Sequence, residues 1–321
     1  MRLQEHVAIS ALKCFLFVFC IRDTRDWRRF PVKNIAVFLM FDRCCSFHYF
    51  CKLYDKKQSL YRKLPHPAGQ DMPGLPPMKK IVLITGAGRG IGAATALLAA
   101  AEGYAVGVNY RENRAAAERV VHTIREQGGE AVALQADVSR EYDIQCMFEE
   151  MDRTLGPLTA LVNNAGIVGA LLPLTAMTAE RIRYMFGVNV LGSMLCAREA
   201  VRRMSTRSGG AGGVIVNVSS GAAKSGAPFE YVDYAASKGA IDTFTMGLAK
   251  EVAAEGIRVN AVRPGFIDTD IHAPGRLDRM VGLIPMGRTG TAEEVAEAIL
   301  WLLSEKSSYT SGAFIDILGG R

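Results

Sequence analysis

Cysteine, net charge and long apolar runs are all scarce in the regular part of this sequence. Of seven cysteines in 321 residues, five (Cys14, Cys20, Cys44, Cys45, Cys51) fall in the first 77, leaving Cys146 and Cys196. No CxxC pair occurs, so zinc-ribbon and dithiol redox chemistry are not indicated and no metal site is expected. Cys146 and Cys196 lie in helical patterns and read as small core residues, a usage that fits a reducing cytosol and a cytoplasmic protein. The net charge of +6 is equally lopsided: residues 1–77 hold 13 Lys/Arg against 6 Asp/Glu, leaving 25 against 26 in residues 78–321. A nearly neutral body argues against a nucleic-acid surface. The most membrane-like run, Val7–Ile21, is about 15 residues long and is broken by Lys13. Roughly 20 apolar residues are needed to cross a bilayer, so a membrane partner is not expected.

The first 77 residues contain 12 of 26 aromatics but only 2 of 32 glycines, and they end in the linker-like "LPHPAGQDMPGLPPM". No small-residue cleavage site follows Val7–Ile21, and acids interrupt what would have to be an acid-poor transit peptide. Two readings stand: a membrane-associating extension, or a segment outside the functional protein. The second fits better, because no targeting class is matched. Residues 1–77 are therefore read as an N-terminal extension, and residues 78–321 as the functional domain.

From Met78 strands and helices alternate. "KIVLIT", "YAVGVNY", "AVALQAD", "LTALVNN", "GVIVNVSS", "IRVNAVRP" and "AFIDILGG" are short β-rich apolar runs. Between them fall helical patterns: one reaching Ala101, one around Ala115–Gln127, one near Tyr142–Leu155, one over Glu180–Met204 and a long one after Tyr231. A last helix opens at the capping box Thr291/Glu294. Regular alternation of this kind implies an α/β fold, a doubly wound parallel sheet with helices on both faces.

"TGAGRGIG" sits between the first strand and the first helix. Glycines there permit a tight turn and close backbone approach to a pyrophosphate, and the helix N-terminus offers N–H groups and a positive dipole end. The spacing Gly86-x-x-x-Gly90-x-Gly92 differs from G-x-G-x-x-G, and the Lys-Ser/Thr of a nucleoside-triphosphate loop is missing. A cofactor with a free ribose 2′-hydroxyl usually meets an acid at the end of the second strand, about 20 residues on. Here that place is held by Tyr110, followed by Arg111, with Arg89 inside the glycine loop. Two guanidiniums favour a 2′-phosphate, hence NADP(H) over NAD(H).

"YVDYAASKG" places Tyr234 and Lys238 one helical turn apart. A free tyrosine titrates near pH 10, and a neighbouring ammonium should lower that value into a useful range for proton exchange with a carbonyl or alcohol. Upstream, "VIVNVSS" ends a strand at Ser219–Ser220, "NNAG" (Asn163–Gly166) ends another, and Asn189 lies in a helical stretch. In this order the motifs resemble the short-chain dehydrogenase/reductase family over about residues 79–321, with sugar dehydrogenase-like and 3-oxoacyl-carrier-protein-reductase-like members nearest.

The resemblance implies a single Rossmann-type domain and a tetrad of Asn189, Ser220, Tyr234 and Lys238. Tyr234 would exchange the proton with substrate oxygen and Ser220 would hydrogen-bond that oxygen. Lys238 would bind the nicotinamide ribose, and Asn189 would support a water linking Lys238 to solvent. Around the cofactor the resemblance places Gly86, Arg89, Gly90, Ile91, Gly92, Tyr110, Arg111, Asp137, Val138, Asn163, Ala165 and Gly166, together with Pro264, Gly265, Ile267 and Thr269. Ser219 and Ser220 are adjacent and must point to opposite sides. Ser220, 14 residues before Tyr234, is the better match.

The segment Asp268–Gly290, with Gly275, Pro285 and Gly287, suits a mobile lid over substrate. Phe229, Tyr231, Phe266 and Met280 are candidates for pocket or core alike. The resemblance further implies a homotetramer or homodimer. The expected function is an NADP(H)-dependent oxidoreductase interconverting a carbonyl and an alcohol on a small molecule. An NAD-dependent sugar or alcohol dehydrogenase and a non-catalytic NADP(H)-binding redox sensor are the alternatives.

Overall fold

The computed structural model describes residues 79–270 and 275–321. The chain divides into two units, Met1–Leu75 and Pro76–Arg321, and the described residues belong to the second. The Val7–Ile21 run and the Pro/Gly stretch before Met78 lie outside the described residues. Among the described residues, no helix is long and apolar enough to cross a membrane.

The seven apolar runs form seven strands: β1 (Ile81–Ile84), β2 (Ala105–Tyr110), β3 (Ala131–Gln135), β4 (Ala160–Asn163), β5 (Gly213–Val218), β6 (Ile257–Pro264) and β7 (Phe314–Ile317). They make one parallel sheet in the order β3-β2-β1-β4-β5-β6-β7. Strand order reverses between β1 and β4, which opens a crevice at the carboxyl ends of the strands.

Alternation along each strand divides the core between two faces. Val82 and Ile84 of β1 pack with Ala96 and Ala99 of α1 (Gly90–Ala101), with Val120 and Ile124 of α2 (Arg114–Glu126), and with residues of a late helix described below. Ile81 and Leu83 face α3 (Glu141–Thr154) through Ile144, Met147, Phe148 and Met151. That stripe leaves Cys146 on the solvent side, so the expectation of a core residue fails there. Cys196 is buried, and burial pushes its thiol up to about 12.

The helical pattern expected over Glu180–Met204 is three elements: α4 (Ala179–Phe186), a π-helical turn (Gly187–Gly192) and α5 (Ser193–Met204). A π-turn inside a helix commonly marks a functional site, and this one carries Asn189. A single turn, α6 (Ala222–Ser225), precedes the long α7 (Val232–Val252). After β6 come a short α8 (Arg276–Met280) and then α9 (Ala292–Leu303), whose Val295, Ile299 and Leu302 complete the first face of the core. The Thr291/Glu294 capping box is formed in full.

Candidate active site

The carboxyl ends of β4, β5 and β6, with the start of α1 and the first turns of α7, surround a cavity of about 720 Å³. Its walls include Ile91 of the glycine loop, Asn164 and Gly166 after β4, Ser220 after β5, Tyr234 and Lys238 on α7, and the Pro264–Thr269 segment.

The glycine loop is shaped for close approach. Gly86 (φ +63°) and Gly90 (φ +54°) adopt left-handed backbone that side chains disfavour. A Cβ on Gly92 would lie 2.5 Å from both the Gly86 carbonyl and Asn164 Nδ2. Arg89, at the N-cap of α1, makes no side-chain capping bond, so the first N–H groups of the helix have no side-chain acceptor. An uncapped helix N-terminus behind a glycine turn fits a pyrophosphate.

Two adjacent asparagines divide the labour after β4. Asn164 Nδ2 donates to the carbonyls of Thr85 (2.8 Å) and Gly86 (3.1 Å), which fixes the glycine loop. Asn163, the residue singled out from the sequence, turns the other way. Its Nδ2 donates to Ser193 O (3.0 Å) and Asn217 Oδ1 (2.9 Å) in the interior. Asn163 therefore supports the site from within the sheet, whereas Asn164 lines the cavity.

Ser219 and Ser220 both border the cavity, but their hydroxyls have different partners. Ser219 Oγ is buried and donates to Asp242 Oδ1 at 2.6 Å, and Asp242 is held by Arg263 at 2.9 Å. Ser220 lines the cavity with Tyr234, and its hydroxyl, which accepts from Ala222 N at 3.1 Å, acts to lower the Tyr234 pKa.

Tyr234 and Lys238 sit one turn apart on α7 as expected, with Lys238 Nζ 5.7 Å from the tyrosine ring centroid. Nζ donates to Val218 O at 2.8 Å. The electrostatics run against the simple expectation. Burial raises the Tyr234 pKa above its ordinary value, with the Ser220 hydroxyl opposing. Burial also lowers Lys238 to about 8, with the Asp242 carboxylate opposing. Desolvation penalises both charged forms in this enclosed pair.

Asn189 is fully buried, and its side chain is spent on the protein. Nδ2 donates to Ile167 O (2.9 Å) and Ser237 Oγ (3.0 Å), and Oδ1 accepts from Ile167 N (2.9 Å). It thereby pins the loop after β4 against α7. A Cβ on Gly166 would lie 3.4 Å from Asn189 Oδ1 and 3.5 Å from Lys238 Nζ, so the two polar groups flank this glycine.

The proposed phosphate-binding arginines make separate contacts. Arg89 leans toward Asp270 at 3.9 Å, and Arg111 pairs with Glu112 at 2.8 Å and with the Tyr184 hydroxyl. Tyr110 is buried in the core on one face of the sheet, and Val138, in the turn after β3, is buried in the core on the other. Asp137 accepts from Ser139 N (2.9 Å) and Ser139 Oγ (2.7 Å). Ala165 N donates to Thr85 Oγ1 at 3.0 Å, and Thr269 packs beside Gly90. Gly265 and Ile267 line the cavity with Pro264.

Of the four candidate pocket apolars, Tyr231, Phe266 and Met280 line the cavity, while Phe229 is 86% exposed at a left-handed φ of 66°. Several supporting residues gave no sequence signal. Asp233 is buried, accepts from Tyr234 N at 2.9 Å and is bound by Arg181 of α4 at 2.8 Å, fixing the first turn of α7. Arg276 of α8 is buried against the cavity. Lone Asp and Arg residues on helices carry no motif, so only the fold reveals them.

A family model described as Enoyl-(Acyl carrier protein) reductase matches residues 86–321. The chain is 58% identical over 245 residues to the Uncharacterized oxidoreductase YgfF of Escherichia coli, spanning 75% of this chain and 99% of that protein. It is 37% identical to a 3-oxoacyl-[acyl-carrier-protein] reductase of Synechocystis, covering 75% of this chain and 96% of the relative. A short chain dehydrogenase from Burkholderia cenocepacia, solved in complex with NADP, superposes with a TM-score of 0.70 at 33% identity. That match covers 75% of this chain and 97% of the other. With the fold, the glycine loop and the Ser–Tyr–Lys arrangement in place, the chain belongs to the short-chain dehydrogenase/reductase family.

Proposed function

We propose that residues 78–321 form an NADP(H)-dependent oxidoreductase that interconverts a carbonyl and an alcohol on a small molecule. The observation that carries this reading is the placement of Ser220 and Tyr234 together on the wall of the cavity, with Lys238 one helical turn from the tyrosine. A non-catalytic sensor would need a dinucleotide cradle but not these hydroxyls.

The cradle formed by Gly86, Gly90, Gly92 and the start of α1 would hold the pyrophosphate, and Lys238 would reach the nicotinamide ribose. When bound, the reduced nicotinamide supplies a hydride to the carbonyl carbon. Tyr234 then gives its proton to the carbonyl oxygen, which becomes the alcohol hydroxyl. The raised Tyr234 pKa keeps that proton in place at neutral pH, which suits an acid in the reductive direction. Ser220 donates to the same oxygen and sets its position. Asn189 and Asp233 act through other groups: the first holds the loop beside Lys238, the second anchors the turn carrying Tyr234. In the oxidative direction the same groups run in reverse, with Tyr234 accepting the proton.

The preference for NADP(H) rests on Arg89 and Arg111 and on the lack of an acid at Tyr110. The NADP in the Burkholderia relative supports it. Arg89 is paired only weakly, at 3.9 Å between two exposed groups, so it is available to a 2′-phosphate.

A panel of carbonyls and alcohols assayed with each nicotinamide cofactor tests this reading, run on the full chain and on residues 78–321 alone. Carbonyl-dependent NADPH oxidation by both is expected. A protein that binds NADPH yet reduces nothing in the panel would favour the sensor.

A further inference from the structure

The cavity carries charge that the proton-transfer chemistry does not use. Arg276 of α8 is only 5% exposed, a burial that arginine tolerates when its donors are matched. Here they are not. Nη2 donates to Glu230 Oε2 at 2.7 Å, while Nε is buried without a hydrogen-bond partner. A guanidinium presents five N–H donors, so one bond to Glu230 leaves most of its capacity unspent. Buried donors without partners are rare in native proteins and call for an explanation.

The surroundings give the unspent donors a direction. Arg276 lines the same cavity as Ser220 and Tyr234. Its Cζ lies 4.7 Å from the Tyr231 ring centroid and 5.8 Å from that of Phe266. Arg321 Cζ lies 5.0 Å from the same Phe266 ring and also lines the cavity. Stacking on rings holds a guanidinium plane in place while leaving its edge free for an acceptor. Glu230 takes up one donor of Arg276 at 2.7 Å, and the cavity's Lys224 is taken up by Asp316 at 2.9 Å.

We propose that Arg276, with Arg321 beside it, is an anion subsite of the substrate cavity, and that the substrate is an oxo acid or hydroxy acid bound through its carboxylate. The planar, partly unspent fork of Arg276 suits a planar carboxylate. The apolar walls from Tyr231, Phe266, Met280 and Leu283 suit the hydrocarbon between the two ends of such a molecule. In the free protein Glu230 occupies one donor and keeps the guanidinium at the cavity. This proposal rests on the oxidoreductase reading above and names its substrate class.

The test titrates the full chain, with NADP⁺ present, by calorimetry with 4-formylbenzoate and with its methyl ester. Arg276→Gln and Glu230→Gln are titrated alongside, and circular dichroism checks their folding. The acid is expected to bind at least about tenfold more tightly than the ester, the effect of one charge-assisted hydrogen bond. Arg276→Gln should bring the two within about threefold, while Glu230→Gln, which removes a competing carboxylate, should widen the preference. Equal binding of acid and ester, or a preference kept in folded Arg276→Gln, would overturn the subsite. Should Arg276→Gln not fold, Glu230→Gln decides, and an unwidened preference there counts against it. Turnover with NADPH separates the two readings. Arg276-dependent acid binding with neither compound reduced would keep the subsite and remove the reductase. Reduction of the ester with no preference for the acid would do the reverse.

Discussion

Ser219 and Ser220 are neighbours in the chain whose hydroxyls serve different partners: Ser219 Oγ donates to the buried Asp242 at 2.6 Å, whereas the Ser220 hydroxyl sits with Tyr234 on the cavity wall. Their alanine variants should therefore fail in different ways. Ser220→Ala is expected to lower kcat by about 10- to 100-fold while the protein melts as before. Ser219→Ala should cost about 1–3 kcal/mol of stability, because the buried Asp242 loses a donor, with a smaller effect on kcat. Thermal melts and steady-state rates on both variants check this. Loss of turnover in Ser219→Ala with full activity in Ser220→Ala would reverse the assignment.

Arg89 and Arg111 are expected to matter only to the phosphorylated cofactor. Alanine at either position should raise the KM for NADPH by about tenfold, as loss of one charge-assisted hydrogen bond does, and leave that for NADH within about threefold. Competition assays with both cofactors give the result. Equal weakening of NADPH and NADH would mean that the arginines merely stiffen the loop.

The Lys238 pKa of about 8 sets a pH dependence with a definite sign. Lys238 must be cationic to hold the ribose hydroxyls, so binding competence is full below pH 8 and fades as the pH rises through it. The kcat/KM for NADPH, which reports groups of the free enzyme, should be level at pH 6–7 and fall above about 8. The same shift bears on stability. The unfolded lysine keeps its proton to about pH 10.4, so the burial cost of charged Lys238 is present in full below pH 8 and is relieved between the two values. A kcat/KM profile still flat at pH 9.5 would show that Lys238 keeps its proton in the free enzyme.

Much of this was legible in the sequence, for physical reasons that can be named. Strands such as Ile81–Ile84 are apolar on both faces because helices cover both, and that continuous pattern is readable without coordinates. The glycine loop and the Tyr234–Lys238 spacing are local, so one stretch of chain carries each. What escaped depends on packing between distant segments. Asn163 and Asn164 read alike, but the end of β4 sends one into the interior and the other into the cavity. The π-turn at Gly187–Gly192 keeps a helical apolar pattern, so its different register is invisible until Asn189 is seen bonded to Ile167. Tyr234 was expected to be acidified by its lysine, yet the enclosure that brings the two together penalises both charges. Arg276 looked like any lid residue because its burial arises from the seating of α8 over the cavity.

The most direct measurement is single-turnover oxidation of NADPH by Tyr234→Phe, with a carbonyl that the unaltered protein reduces. Without the phenolic proton the rate should fall by about 10²- to 10⁴-fold, the usual contribution of a positioned general acid. The dissociation constant for NADPH should stay within about threefold, because the glycine loop and Lys238 are untouched. Hydride transfer at the unaltered rate in Tyr234→Phe would contradict the account at its centre.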